Sequence, residues 1–112
     1  MKLKEVKEIL SADIVSGDEN LDREVLSACG SDLMSDVLAF VKDQALLLTG
    51  LMNPQVIRTA EMMDMKAIVF VRGKTPTEEM IALAEESGIV IMTTELPLYL
   101  TCGKLYSNGL YK

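Results

Sequence analysis

The sequence predicts an α/β fold: one domain over residues 1–112, with a largely parallel sheet of about four to six strands flanked by helices. Three observations predict it. Short continuous apolar runs, of which Ala67-Ile68-Val69-Phe70-Val71 is the strongest, have the composition of strands covered on both faces. These runs alternate with segments that carry helix caps and helical spacing, the pattern of βα units. The whole is 112 residues without linker, repeat or low-complexity segment, and single domains cluster at ~100–150 residues.

Each element has its own warrant. Leu3, Val6, Ile9 and Leu10 recur at helical spacing among lysines and glutamates, so the chain opens with a short amphipathic helix. A brief strand is expected over 12–16, closed by the turn residues Gly17-Asp18-Glu19-Asn20. In the following turn, Asp22 can bond backbone amides and Arg23 can tie the turn to an acidic neighbour, so both are expected to be structural. A strand is expected over 24–29, then a helix from Leu33 to about Val41. There Ser31 or Asp32 is the expected cap, with Ser35-Asp36 in the first turn, where a carboxylate complements the helix dipole. Leu33, Val37, Ala39, Phe40 and Val41 are the expected buried stripe.

The run Ala45-Leu46-Leu47-Leu48-Thr49 is the next strand. Asn53-Pro54 opens a helix, with proline where its missing N–H costs nothing. After the strand over 67–71, Thr75-Pro76-Thr77-Glu78 reads as a capping box, and that helix runs to Ser87 with Gly88 as its stop. A strand over 89–93 follows. Thr94 is the expected cap of the last helix, with Pro97 tolerated in its first turn and Asn108-Gly109 as its end.

Composition narrows the function classes. The chain is 49% apolar and 25% charged, so it is globular, and such a length buries roughly 65% of the surface its unfolded form exposes. A net charge of −6 and a pI near 4.6 repel phosphate backbones, so neither nucleic acid nor anionic membrane is an expected partner. Cys29 and Cys102 stand alone, with no C-x-x-C and no histidine anywhere, which removes a zinc site and predicts two reduced core cysteines. The N-terminal MKLKEVKEIL has charges every few residues and no long apolar run, so neither signal peptide nor membrane span is expected and the location is read as cytoplasmic. Eight methionines, including Met62, Met63 and Met65, are read as core filler.

Catalytic signals are missing. There is no histidine, no G-x-S-x-G and no Ser-x-x-Lys, and Glu78, Glu79, Glu85 and Glu86 form a solvated helix stripe. No catalytic residue, metal or cofactor is therefore assigned. A ligand has one plausible home. In an open α/β sheet the crevice lies beyond the carboxyl ends of the strands, where helix N-termini also point. Of the strand–helix junctions, only Arg72-Gly73-Lys74-Thr75 joins fixed positive charge, a glycine and a helix start. Asn53 and Thr94 are its expected neighbours, since the strands over 45–49, 67–71 and 89–93 are expected to adjoin. Gly73-Lys74-Thr75 has the ending of a P-loop, but the first glycine of that motif would fall on Ile68 inside a strand, so no phosphate cradle is expected. The candidate ligand set is Asn53, Arg72, Gly73, Lys74, Thr75 and Thr94, for a small anionic metabolite.

A family resemblance rests on ordered segments along nearly the whole chain. Gly17-Asp18-Glu19-Asn20-Leu21-Asp22-Arg23-Glu24-Val25 resembles the G-x-x-x-L-[DN]-R-x-[IV] opening of DRTGG domains and of the N-terminal domain of HPr kinase/phosphorylase. Ser31-Asp32-Leu33-Met34-Ser35-Asp36-Val37-Leu38-Ala39 is similar to the S-D-L-L-S-D-V-x-A stretch of stand-alone DRTGG proteins. The segments from Val71 to Glu79, Ala84 to Ile89 and Thr94 to Pro97 resemble the later half of both groups. Two departures are plain: the five-letter string that names the family is replaced after Leu48 by Thr49-Gly50-Leu51-Met52-Asn53-Pro54, and the kinase domain with its P-loop is absent. The resemblance implies a non-catalytic regulatory or assembly domain, a homodimer with a protein partner. Its alternative is a sensor binding an adenine nucleotide or other anion, and an enzyme acting on a small phosphorylated metabolite is the remote third.

Overall fold

The structure, a computed structural model, describes residues 1–40 and 43–112. Five strands form one sheet in the order β1-β5-β4-β3-β2: β1 is Asp13–Ser16, β2 Ser27–Gly30, β3 Ala45–Thr49, β4 Ala67–Phe70 and β5 Val90–Thr93. Strands β2 to β5 are parallel, and β1 closes one edge antiparallel to β5. Among the described residues five α-helices cover the sheet: α1 (Leu3–Leu10), α2 (Met34–Phe40), α3 (Pro54–Met62), α4 (Glu78–Ser87) and α5 (Leu98–Ser107). The expected α/β class and sheet size are what is observed. None of these helices is long and apolar enough to cross a membrane.

The two-residue period of a strand divides the core. Leu46 and Leu48, Ala67 and Val69, and Val90 and Met92 face α1 and α5. Ala45 and Leu47, Ile68 and Phe70, and Ile89 and Ile91 face the layer of α2, α3 and α4. All of these side chains are buried, which is why the strands read as unbroken apolar runs. The parallel strands follow one another in sequence order across the sheet, so the three crossovers step in one direction and right-handed connections put their helices on one face. The order never reverses among β2 to β5. The carboxyl edge is thus a row of junctions without the split crevice of a doubly wound sheet.

Several expectations are corrected in detail. Residues 24–26 do not extend β2. The Val25 amide donates to the Met1 carbonyl and Leu3 to that of Arg23, so this stretch is tied to the start of the chain, and the strand proper begins at Ser27. Arg23 does hold the turn, but its partners are backbone carbonyls rather than a carboxylate: it donates to Gly88 O at 2.6 Å and Lys66 O at 3.2 Å. Asp22 pairs with Lys4 at 3.3 Å on the surface.

The cap of α4 is Thr77, whose hydroxyl accepts from the Met80 amide at 3.2 Å, and not Thr75. Pro76 is buried, which carries the chain two residues further before Met80 can enter the core. Thr94 likewise caps nothing: α5 starts after Pro97. On α2 only Val37 of the expected stripe is buried, while Leu33, Ala39 and Phe40 are exposed and Val41 lies outside the described residues. The helix sits beside the edge strand β2, so a single row of it meets the core. Of the methionines expected as filler, Met65 is buried, Met63 packs partly and Met62 is exposed.

Candidate functional site

At the carboxyl edge, the chain leaves β4 through Val71 into two consecutive left-handed residues, Arg72 (φ 60°) and Gly73 (φ 68°). Gly73 takes this conformation without penalty, whereas Arg72 holds it at a cost of roughly 1 kcal/mol. Two bonds to the β5–α5 connection fix the turn: the Arg72 amide donates to Leu96 O and the Gly73 amide to Thr94 O, both at 2.9 Å. A Cβ at residue 73 would collide with the Glu95 carboxylate, so this position has no room for a side chain as packed.

The Arg72 guanidinium turns toward β3. Its Nη2 lies 3.4 Å from Asp32 Oδ2, and it rests on Gly50, where any Cβ would run into it. The other carboxylate oxygen of Asp32 accepts from the Gly50 amide at 2.7 Å and the Thr49 hydroxyl at 3.1 Å. Thr49 Oγ1 in turn accepts from the Leu51 amide at 3.2 Å. Asp32 is therefore not a cap of α2; it joins the β2, β3 and β4 junctions. The Gly50 amide, helped by Thr49 and Arg72 and opposed by partial burial, holds its carboxyl below the usual carboxylate range. Ser31 makes a local turn instead, its hydroxyl accepting from the Leu33 amide at 3.0 Å.

Thr94 is buried, donating its hydroxyl to Leu10 O at 2.7 Å and accepting from the Leu96 amide at 3.3 Å. It links α1 to the carboxyl edge. Together with Gly73, Thr75, Thr93, Glu95, Ser11 and Asp13 it lines a cavity of about 210 Å³. Of the six expected ligand residues, then, Gly73, Thr75 and Thr94 share a cavity. Arg72 faces the neighbouring Asp32 cluster, and Lys74 is exposed beside the turn. Asn53 stands apart as the cap of α3, its Oδ1 accepting from the Gln55 amide at 2.8 Å.

Asp32 and Gly50 lie in junctions that the sequence places at this edge, although Asp32 is expected there only as a helix cap; Asp13 and Glu95 are not singled out by the sequence. A carboxylate immediately after a strand, with a small residue after the adjacent strand, was the available signal for Asp32 and Gly50. The chemistry of the edge is mixed. Two carboxylates line the cavity, whereas Arg72 and Lys74 flank Gly73 in the chain without lining it, so an anion gains only where it reaches those cations and keeps clear of Asp13 and Glu95. A larger cavity of about 380 Å³ at the opposite edge is lined by Asp18, Glu19 and Glu85 with Gly17 and Gly88, and its charge opposes an anion altogether. Both cysteines are free and half-buried, and burial is the main cause that raises each thiol above its ordinary value.

A family model described as the DRTGG domain matches residues 5–106. No curated protein matches the chain. Among solved structures, the chain is similar to the crystal structure of the CBS and DRTGG domains of the regulatory region of Clostridium perfringens pyrophosphatase, complexed with its activator diadenosine tetraphosphate. The TM-score is 0.76 at 18% identity, over 93% of this chain and 45% of that one. The chain thus spans less than half the length of that structure.

Proposed function

Because the chain belongs to the DRTGG domain family, we propose that it is a regulatory or assembly domain, without catalysis of its own, that works in the cytoplasm as a homodimer and through a protein partner. The family match over residues 5–106 carries this reading: nearly all of the 112 residues belong to the one domain. The resemblance of Gly17 to Val25 to the opening of DRTGG domains supports the same reading. At the carboxyl edge the acid, the hydroxyl and the guanidinium bind one another, an arrangement that fixes junctions together.

A second reading is favoured by one specific observation: Gly73, Thr75 and Thr94 line a cavity at the carboxyl edge, on a turn whose sequence also carries the cations Arg72 and Lys74. There the domain senses an adenine nucleotide or other small anion through Arg72, Gly73, Lys74, Thr75 and Thr94, with Asn53 outside the cavity. Diadenosine tetraphosphate, the activator in the Clostridium perfringens structure, belongs in the panel for that reason. A thermal-shift series with this compound, ATP, ADP, AMP and inorganic phosphate separates the two readings. A ligand that binds only the native chain raises its stability by RT ln(1 + [L]/Kd), about 2.7 kcal/mol at a hundredfold excess over Kd. The assembly reading expects no shift with any of them. A shift that vanishes in the Arg72→Ala, Lys74→Ala variant makes the domain a sensor.

A further inference from the structure

The charges of this chain are unevenly placed. All 17 acidic side chains precede Leu96, while the last 17 residues hold Lys104, Lys112 and every tyrosine of the chain. Those tyrosines are exposed: Tyr99 by 88%, Tyr106 by 60% and Tyr111 by 67%. Tyr99, Gly103 and Tyr106 share one face of α5 by helical spacing, and the space above Gly103 is open, so the face has a notch between two rings. Glycine is unfavourable in a helix interior, and here it allows close approach of another element. Exposed tyrosines clustered without acids are characteristic of interface centres.

The opposite face of the same sheet edge has the opposite charge. Residues 31–43 carry Asp32, Asp36 and Asp43 against the single cation Lys42. Here α2 exposes Leu38 and Phe40, the last by 73%, and Leu33 just before it is exposed as well. Both helices flank β2, the edge strand: α5 packs over β2 and β3 on one face, and α2 lies on the other. Direct pairing of two β2 edges is obstructed, because the Ala28 amide already donates to the Lys112 carbonyl at 2.9 Å.

From this we infer that a second copy of the chain docks along the β2 edge by a two-fold axis running parallel to the strands, so that the basic, tyrosine-bearing α5 of each protomer packs against the acidic, apolar α2 of its partner. Such an axis exchanges the two faces of the sheet, and each protomer supplies one helix of each kind. A two-fold axis perpendicular to the sheet would instead bring α5 against α5 and α2 against α2, setting like charges together. The observed charges select the first. An isologous contact of this kind closes at two protomers. The inference rests on the homodimer proposed above and specifies its surface.

The test is a charge exchange between Lys104 and Asp36, followed by sedimentation equilibrium at micromolar concentration. Lys104→Glu alone, or Asp36→Lys alone, puts like charges at both symmetric contacts and is expected to weaken the dimer by about tenfold or more. An equimolar mixture of the two variants restores opposite charges at both contacts in the heterodimer, which is expected to recover affinity to within roughly threefold of the unmodified chain. Phe40→Glu should abolish the dimer while leaving the circular-dichroism melt cooperative. If the unmodified chain is a dimer but all three variants dimerise as it does, the interface lies elsewhere and the homodimer stands. A dimer strengthened when Lys104→Glu is mixed with the unmodified chain, where the introduced carboxylate would face an unmodified Lys104, would select the α5-to-α5 arrangement and overturn this one. A monomeric unmodified chain removes the homodimer reading itself.

Discussion

Arg23 illustrates what single residues contribute and how they act. Its guanidinium donates to two backbone carbonyls, Gly88 O at the end of α4 and Lys66 O before β4, and so clamps a turn to the amino-terminal edge of the sheet. Hydrogen bonds from a charged group contribute ~1.5–3 kcal/mol when buried, and partial exposure reduces that. Arg23→Ala is expected to cost about 1–2 kcal/mol, read as a fall of several degrees in the melting temperature. Its ligand response, where there is one, should be unchanged. Asp32 gives a pH signature. The Gly50 amide, Thr49 and Arg72 lower its pKa in the native state, so its contribution to stability is complete above the unfolded carboxyl pKa of ~3.9 and is lost as pH falls through the lower native value. Asp32→Asn should therefore reduce stability at pH 7 and flatten the acid limb of a stability-against-pH curve; an unaltered limb would mean the carboxylate makes no such contacts. Gly50→Ala would push the Arg72 guanidinium off its seat, and because that is the end of a flexible chain the expected loss is under about 1 kcal/mol. Sequence reading saw Ser31-Asp32 as local caps because a polar pair before a helix usually is one. The bond from Asp32 to Gly50 spans 18 residues, and no local pattern encodes it.

At the scale of elements, strands were more legible than helix starts. The strand over 45–49 is observed with the expected bounds, and those over 67–71 and 89–93 differ by one residue, since an apolar run bounded by turn residues is its own signal. Caps need knowledge of which side chain must reach the core. Thr75 and Thr77 both precede a helix, and burial of Pro76 and Met80 decides for Thr77. Thr77→Ala is accordingly expected to destabilise by about 1 kcal/mol, and Thr75→Ala by under about 0.5 kcal/mol, in chemical denaturation. Equal losses would return the cap to the earlier threonine. For α2, the helical period was read as a buried stripe although the helix sits at a sheet edge. The same apolar residues appear in the sequence whether a core or a partner is to cover them.

For the whole molecule, the α/β class was legible because two periods, that of buried strands and that of capped helices, alternate along 112 residues. Sequential adjacency of β3, β4 and β5 was also legible, and it brings the junction of Arg72 next to those of Thr49 and Thr94. What escaped sequence reading was the placement of elements at the two edges: the antiparallel β1, and the exposure of α2 and α5 on either side of β2. Neither follows from local pattern, because strand order depends on contacts far apart in the chain. The ligand set was legible in part, with three of its residues around one cavity, while the counter-ion of Arg72 was hidden in a distant cap-like motif.

An assembling domain forms a native particle larger than one chain, and the mass of that particle tests the proposed assembly most directly. At micromolar concentration, sedimentation velocity of the unmodified chain should give a single species of twice 12.3 kDa. A single species at 12.3 kDa throughout that range would contradict it.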